Sequence, residues 1–237
     1  MTKYIASVSW GKDSTAMILK LIEEKWPLNE VIFYDTGMEF RCIYDVRDMV
    51  LPILQKNNIK YTELKPNRSF LLDMLIRSKT KRKTKEIVYG DEWCGKCRWQ
   101  TFIKRDVCNK YTGKDNIVYI GIASDENKRL EKLESYKQAP LVKWEMTEED
   151  CLQYCHDNEI YWMEDGIELY SVLDRVSCWC CQNKNLKELK NMYQYLPRYW
   201  GYLKGLQSRI DTPFKGEGKS IFDLEERFKK EIENARN

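Results

Sequence analysis

The sequence predicts a parallel α/β sheet joined to a helical, cysteine-bearing C-terminal part. Three observations predict it. Short apolar, β-branched runs alternate with segments of helical period over the first 120 or so residues. Polar turns follow three of those runs. After residue 145 the strand signal gives way to helical segments and cysteines, so the chain divides into residues 1–145 and 146–237. Strands alternating with helices form parallel sheets covered on both faces, and ligands bind outside the carboxyl ends of such strands.

The elements follow in order. Residues 3–9, KYIASVS, are a β-branched and aromatic strand. Residues 14–25 have helical periodicity, with Met17 and Leu21 on the inward face. Residues 30–35, EVIFYD, form a second strand ending in Asp35-Thr36-Gly37. Residues 39–57 read as a helix with a kink expected near Pro52. Residues 59–64 are a third strand, and residues 117–122, IVYIGI, a central one. Residues 77–85, RSKTKRKTK, are strongly basic with little apolar content and read as a loop. That run either steers an anionic nucleotide, contacts RNA, or is simply solvated. Thr147, with Asp150 three residues on, opens a helix as an N-cap. Residues 186–206 are helical with a break at Pro197, and residues 220–235 form a charged terminal helix. The aromatic-rich NMYQYLPRYWGYLKG has helical spacing and reads as a packed helix.

Composition bounds the function. The chain has 237 residues, 40 basic and 37 acidic, for a net charge of +3, so its overall charge calls for neither nucleic acid nor membrane. No stretch approaches the ~20 apolar residues of a membrane helix, and the first residues read as a strand rather than a signal peptide. The expected location is the cytoplasm, where thiols stay reduced. Nine cysteines beside a single histidine then point to metal binding or reactive thiols before disulfides.

The first chemical motif is SVSWGKDSTAM, residues 7–17. A strand, a tight turn and a helix start make an anion site, because free amides and the helix dipole face the turn. Gly11 permits close approach, Ser9 and Ser14 supply hydroxyls, and Lys12 supplies a cation. Asp13 either caps the helix or holds magnesium with the phosphates. The spacing is neither GxxxxGK[ST] nor GxGxxG. Trp10 stands where a glycine is expected.

SxGKDS after a first strand resembles the PP-loop of the N-type ATP pyrophosphatase superfamily, whose fold is adenine nucleotide alpha-hydrolase-like (Rossmann-like). Its phosphoadenosine phosphosulfate (PAPS) reductases carry an aromatic at the position of Trp10. YDTGMEF (34–40), YIGIASDENKRL (119–130) and SCWCC (177–181) resemble further segments of that branch. The resemblance implies that Ser7, Ser9, Gly11, Lys12, Asp13 and Ser14 cradle phosphate. It implies that Asp35, Thr36 and Gly37 shape the pocket floor, and that Gly121 and Arg129 close the far side. Arg129 is otherwise a solvated helix charge. Glu39 binds ribose, substrate or magnesium, or sits in the first turn of its helix as a dipole partner. The implied ligands are ATP, PAPS or APS (adenylyl sulfate) with Mg2+.

Two CxxC pairs, Cys94–Cys97 and Cys178–Cys181, have the spacing of a four-thiolate site for Zn2+ or a [4Fe-4S] cluster. The plain alternative is buried structural thiols. Cys180 is a fifth thiol, either a ligand in place of Cys178 or a reactive sulfur-handling group. Cys42, Cys108, Cys151 and Cys155 read as helix-face packing. Related reductases place a nucleophilic cysteine in a C-terminal tail, whereas no cysteine here follows Cys181. The functional expectation is therefore an adenylyl-transfer enzyme acting at the α-phosphate, with sulfur delivered to an adenylated small molecule or RNA. The alternatives are a PAPS or APS reductase that uses Cys180, and a non-catalytic nucleotide-binding module.

Overall fold

A computed structural model describes residues 2–67, 69–80, 84–89 and 103–236. In chain order the elements are β1 (Tyr4–Val8), α1 (Lys12–Glu23), β2 (Glu30–Tyr34), α2 (Arg41–Lys56), β3 (Lys60–Leu64), α3 (Phe70–Leu75), β4 (Ser78–Thr80), β5 (Ile87–Tyr89), α4 (Lys104–Thr112), β6 (Ile117–Ile120), α5 (Asn127–Leu130) and β7 (Lys137–Gln138). There follow α6 (Pro140–Lys143), α7 (Glu148–Asp157), β8 (Met163–Glu164), β9 (Ile167–Glu168), α8 (Leu169–Val172), α9 (Leu186–Tyr195), α10 (Pro197–Gln207) and α11 (Ile221–Arg236).

Two compact units result. The first comprises residues 1–35, 39–65 and 104–163, and the second residues 36–38, 66–103 and 164–237. Glu148–Asp157, placed with the C-terminal part by the sequence, lies with the sheet.

The first unit holds a five-stranded sheet in the order β3-β2-β1-β6-β7, with neighbouring strands paired in parallel. The apolar runs dictate this. All five residues of β2 are buried, as a strand covered on both faces requires. β1 has buried Ile5, Ala6 and Val8, and edge strand β3 is only partly covered. The chain winds outward from β1 to β2 and β3, then returns to β6 on the other side of β1. The strand order therefore reverses beside β1, at the switch point where open α/β sheets bind ligands.

Elements end where local chemistry says they should. α7 starts in a full capping box: Thr147 Oγ1 accepts from Asp150 N, and Asp150 answers the Thr147 amide. α1 starts at Gly11 with no side-chain cap. α2 runs on through Pro52.

In the second unit, α9, α10 and α11 pack together around Trp200, Phe228, Leu189 and Met192. The expected break lies at Pro197, which takes the first position of α10, where its missing N–H is harmless. One reading is corrected. Residues 78–80 of the basic run form β4, antiparallel to β5, rather than loop. Ile87, Val88 and Tyr89 are strong strand formers, and they recruit the polar partner strand. Among the described residues, no helix is long and apolar enough to cross a membrane.

Candidate nucleotide site and cysteine turn

The loop between β1 and α1 is anchored by its oddest residue. Trp10 is fully buried and has a left-handed φ of 58°, a conformation that bulky residues rarely adopt. Its ring meets Phe33 and Tyr61 at centroid distances of 6.5 and 6.1 Å. Its carbonyl accepts a 2.7 Å hydrogen bond from Trp162 Nε1. Trp10 therefore packs beneath the loop and holds it, and its side chain points into the core rather than toward a ligand.

Above that anchor the loop is tightly self-bonded. Ser14 Oγ donates to the Gly11 carbonyl at 3.1 Å and accepts from the Ser9 amide at 3.2 Å; the Ser9 and Ser14 hydroxyls lie 3.3 Å apart. Gly11 and Ser14 are buried and Ser9 is exposed. Gly11 supplies no side-chain cap to α1, and the first turn of a helix offers amides that have no intrahelical acceptor. Ser7 lies within β1, half-buried, beside Cys108 of α4.

Lys12 and Asp13 open the helix. Lys12 Nζ lies 2.7 Å from Asp13 Oδ1 and 2.7 Å from Glu148 Oε2. Burial pulls the Lys12 ammonium down, but the two carboxylates outweigh it, so Lys12 stays charged. Burial lifts the Asp13 carboxyl, against the pull of Lys12 and with help from Glu148 and Glu126.

The turn after β6 presses on this loop. A β-carbon on Gly121 would lie 2.8 Å from Ser14 Cα and 2.9 Å from Ser14 N, so only glycine lets the backbones approach this closely. The same turn carries Asp125, whose carboxylate accepts from the Glu148 amide, and Ser124, whose amide bonds the Met146 carbonyl. Glu126 holds the Arg129 guanidinium at 2.5 and 2.7 Å, and the Arg129 side chain is half-exposed.

Asp35 ends the strand run after β2, buried, and accepts from Tyr44 Oη at 2.7 Å. Glu39 is half-buried and stands ahead of α2, whose first turn contains no acidic residue, so the dipole-partner reading does not hold.

Within the second unit, Thr36, Gly37 and Met38 meet the SCWCC segment. Thr36 Oγ1 lies 3.4 Å from Cys178 Sγ, and the Trp179 amide donates to the Met38 carbonyl. Gly37 takes a φ of 74°, natural for glycine. The Cys181 amide bonds the Cys178 carbonyl at 3.1 Å, so one tight turn brings this CxxC pair together. Cys178 and Cys180 are buried and Cys181 is partly exposed. The buried Lys184 ammonium donates to the Arg175 carbonyl at 3.1 Å; burial pulls it below its ordinary range, against the charge of Glu188 and the three thiols. Soft thiolates on one turn suit zinc or iron. Cys94 and Cys97 lie outside the described residues, and the described residues alone form no group of three or more metal-binding side chains.

The remaining cysteines are packed as expected. Cys151 and Cys155 are fully buried on one face of α7, where burial lifts both thiols, Cys155 to about 12; Cys155 Sγ donates to the Lys12 carbonyl. Cys42 and Cys108 are buried too. The sequence reading missed Glu148 and Trp162, because each meets the loop from more than 130 residues away. It also missed Tyr44 and Lys184.

Compared with models of known families, residues 3–184 match the phosphoadenosine phosphosulfate reductase domain. No curated protein matches the chain. Among solved structures it is similar to the U34-tRNA thiolase NcsA from Methanococcus maripaludis with its [4Fe-4S] cluster. The two share 15% identity over 98% of this chain and 73% of that one, at a TM-score of 0.45. A likeness that remote bears on neither substrate nor cofactor.

Proposed function

The chain belongs to the phosphoadenosine phosphosulfate reductase domain family, and on that premise we propose that it is an enzyme that binds ATP, or an adenylyl-sulfate-type nucleotide, and acts at the α-phosphate. The observation that carries this reading is the start of α1. The helix follows the carboxyl end of β1, takes no side-chain cap from Gly11 and opens on a charged, buried lysine. Such a start attracts phosphate oxygens, and the lysine offsets charge developing on the phosphorus.

In the proposed reaction with ATP, an acceptor oxygen attacks the α-phosphorus and pyrophosphate leaves. A sulfur nucleophile then displaces the adenylated oxygen and AMP departs. Lys12 and the loop amides hold the phosphate oxygens, and Ser9 and Ser14 fix the loop. Asp35 shapes the floor, and Gly121 sets the approach of the far wall. Arg129 would leave Glu126 to join the far side, and Glu39 would bind ribose, substrate or magnesium. Magnesium, when bound beside Asp13, would offset phosphate charge. Cys178 and Cys181 would hold zinc or a [4Fe-4S] cluster together with Cys94 and Cys97. The acceptor is a small molecule or RNA.

The reductase reading is weaker, because Cys180, its one candidate nucleophile, is only 3% exposed. The test is to supply ATP labelled at the α-phosphate with candidate acceptors and follow pyrophosphate and AMP. Release abolished by Lys12→Ala and retained in Cys180→Ser supports adenylyl transfer. Loss in Cys180→Ser, with adenylyl sulfate reduced by wild type, supports the reductase. Nucleotide binding without turnover for any acceptor leaves a binding module.

A further inference from the structure

The phosphate loop offers one lysine, and that lysine is already engaged by two carboxylates. Asp13 is its neighbour in sequence. Glu148 is not: it reaches Lys12 from the first turn of α7, 136 residues along the chain. The Lys12 side chain is 8% exposed, so a counterion there is needed to keep the charge in place. Of the two partners Glu148 is the more exposed, at 38% against 23% for Asp13.

Among the described residues, Lys12 is the partner of the Glu148 carboxylate. The helix start is closed by Thr147 and Asp150, and the Glu148 amide is held by Asp125. Its carboxylate therefore lies against the ammonium that the loop would present to a phosphate oxygen.

We propose that Glu148 is a displaceable counterion: its carboxylate keeps Lys12 charged and aimed until a nucleotide phosphate takes its place. This rests on the reading of the loop as a nucleotide site. A phosphate must then outcompete a carboxylate already bound, which favours polyphosphates over singly charged anions. Asp13, Asp125, Glu126 and Glu148 crowd the same corner, so a metal-free triphosphate enters against like charge. Glu148 is a positioning residue by this account, and its removal should change affinity rather than turnover.

The experiment is calorimetric titration of metal-free ATP and of inorganic pyrophosphate into five forms of the full chain. These are wild type, Glu148→Gln, Glu149→Gln and Lys12→Met/Glu148→Gln beside Lys12→Met alone. The expected result is that Glu148→Gln tightens both ligands by roughly three- to tenfold, the size of a half-exposed charge pair. Glu149→Gln, which removes the same charge one residue along, should change affinity by less than about twofold. The tightening should vanish when Lys12 is methionine. Unchanged or weaker binding by Glu148→Gln overturns the proposal, as does an equal gain from Glu149→Gln or a gain that survives without Lys12. Wild type binding neither ligand sinks both this proposal and the nucleotide reading; wild-type binding with no gain in Glu148→Gln sinks this one alone. Should Glu148→Gln fail to fold, Glu148→Asp, one methylene shorter, should show a smaller gain in the same direction, and no gain there overturns the proposal equally.

Discussion

Gly121 makes the plainest demand on any single position. It contacts backbone rather than a flexible side chain, so a methyl group there cannot be accommodated by a rotamer change. Gly121→Ala must push the start of α1 away from the β6 turn, which costs about 1–3 kcal/mol by the usual penalty of overpacking. Urea unfolding should show that loss. Nucleotide affinity should fall further than stability, because the displaced atoms are those of Asp13 and Ser14. A variant as stable as wild type would mean that the approach is looser than the geometry says. Trp10 is the complementary case. The motif signals an aromatic at this position, and its family resemblance was legible. Its physical task was not, because Phe33, Tyr61 and Trp162 come from three separate parts of the chain.

At the scale of elements, the sheet is locked at the end away from the loop by one carboxylate. Glu30 is buried at the start of β2 and accepts from Thr62 and Tyr111 at 2.6 Å, with Lys60 at 2.9 Å. It thus joins β2 to edge strand β3 and to α4. Burial alone would raise its carboxyl, but the bonds from Thr62, Tyr111 and Lys60 outweigh burial and lower it below 4.5. A carboxyl lowered by folding adds stability that is complete above its unfolded value and is lost as pH falls through the folded one. Wild type should therefore lose urea stability below about pH 4.5 more steeply than Glu30→Gln, which lacks that titration. Parallel acid profiles would show that the network contributes nothing. At pH 7 the same variant should be less stable by about 1–3 kcal/mol, since a charged acceptor is lost from three donors. The main strands were legible because their apolar runs are buried on both faces, as in β2. β7 was not, being two residues long and too short to show a period. β4 was misread because its polar side chains carry no strand signal, and its pairing depends on β5.

For the whole molecule, what could be read in advance follows sequence distance. The loop, the DTG turn and the CxxC spacing are each contained in a few residues, so their chemistry shows locally. Glu148 at a helix start looks like any acid favouring the dipole, and only the fold brings it to Lys12. Lys184 looks like a surface cation until the fold buries it. The cysteine turn also has a consequence for stability that belongs to a whole unit. If Cys178 and Cys181 hold a metal with Cys94 and Cys97, that metal ties residues 94–97 to the segment leading into α9, and its binding energy becomes folding energy of the second unit. The sheet unit has its own buried core in β1, β2 and α1. Protein purified without oxygen should contain iron with broad visible absorption, or stoichiometric zinc, and Cys181→Ser should lose it. Hydrogen exchange should then quicken at amides of α9 and α10 while those of β1 and β2 keep their protection. Equal quickening in both units would assign the metal a role in the entire fold. Unchanged exchange after metal loss would make the cysteines a reactive centre rather than a clamp. Wild type without metal would end the four-thiolate reading, leaving Cys178 and Cys181 as packed thiols and the chemistry to the phosphate loop.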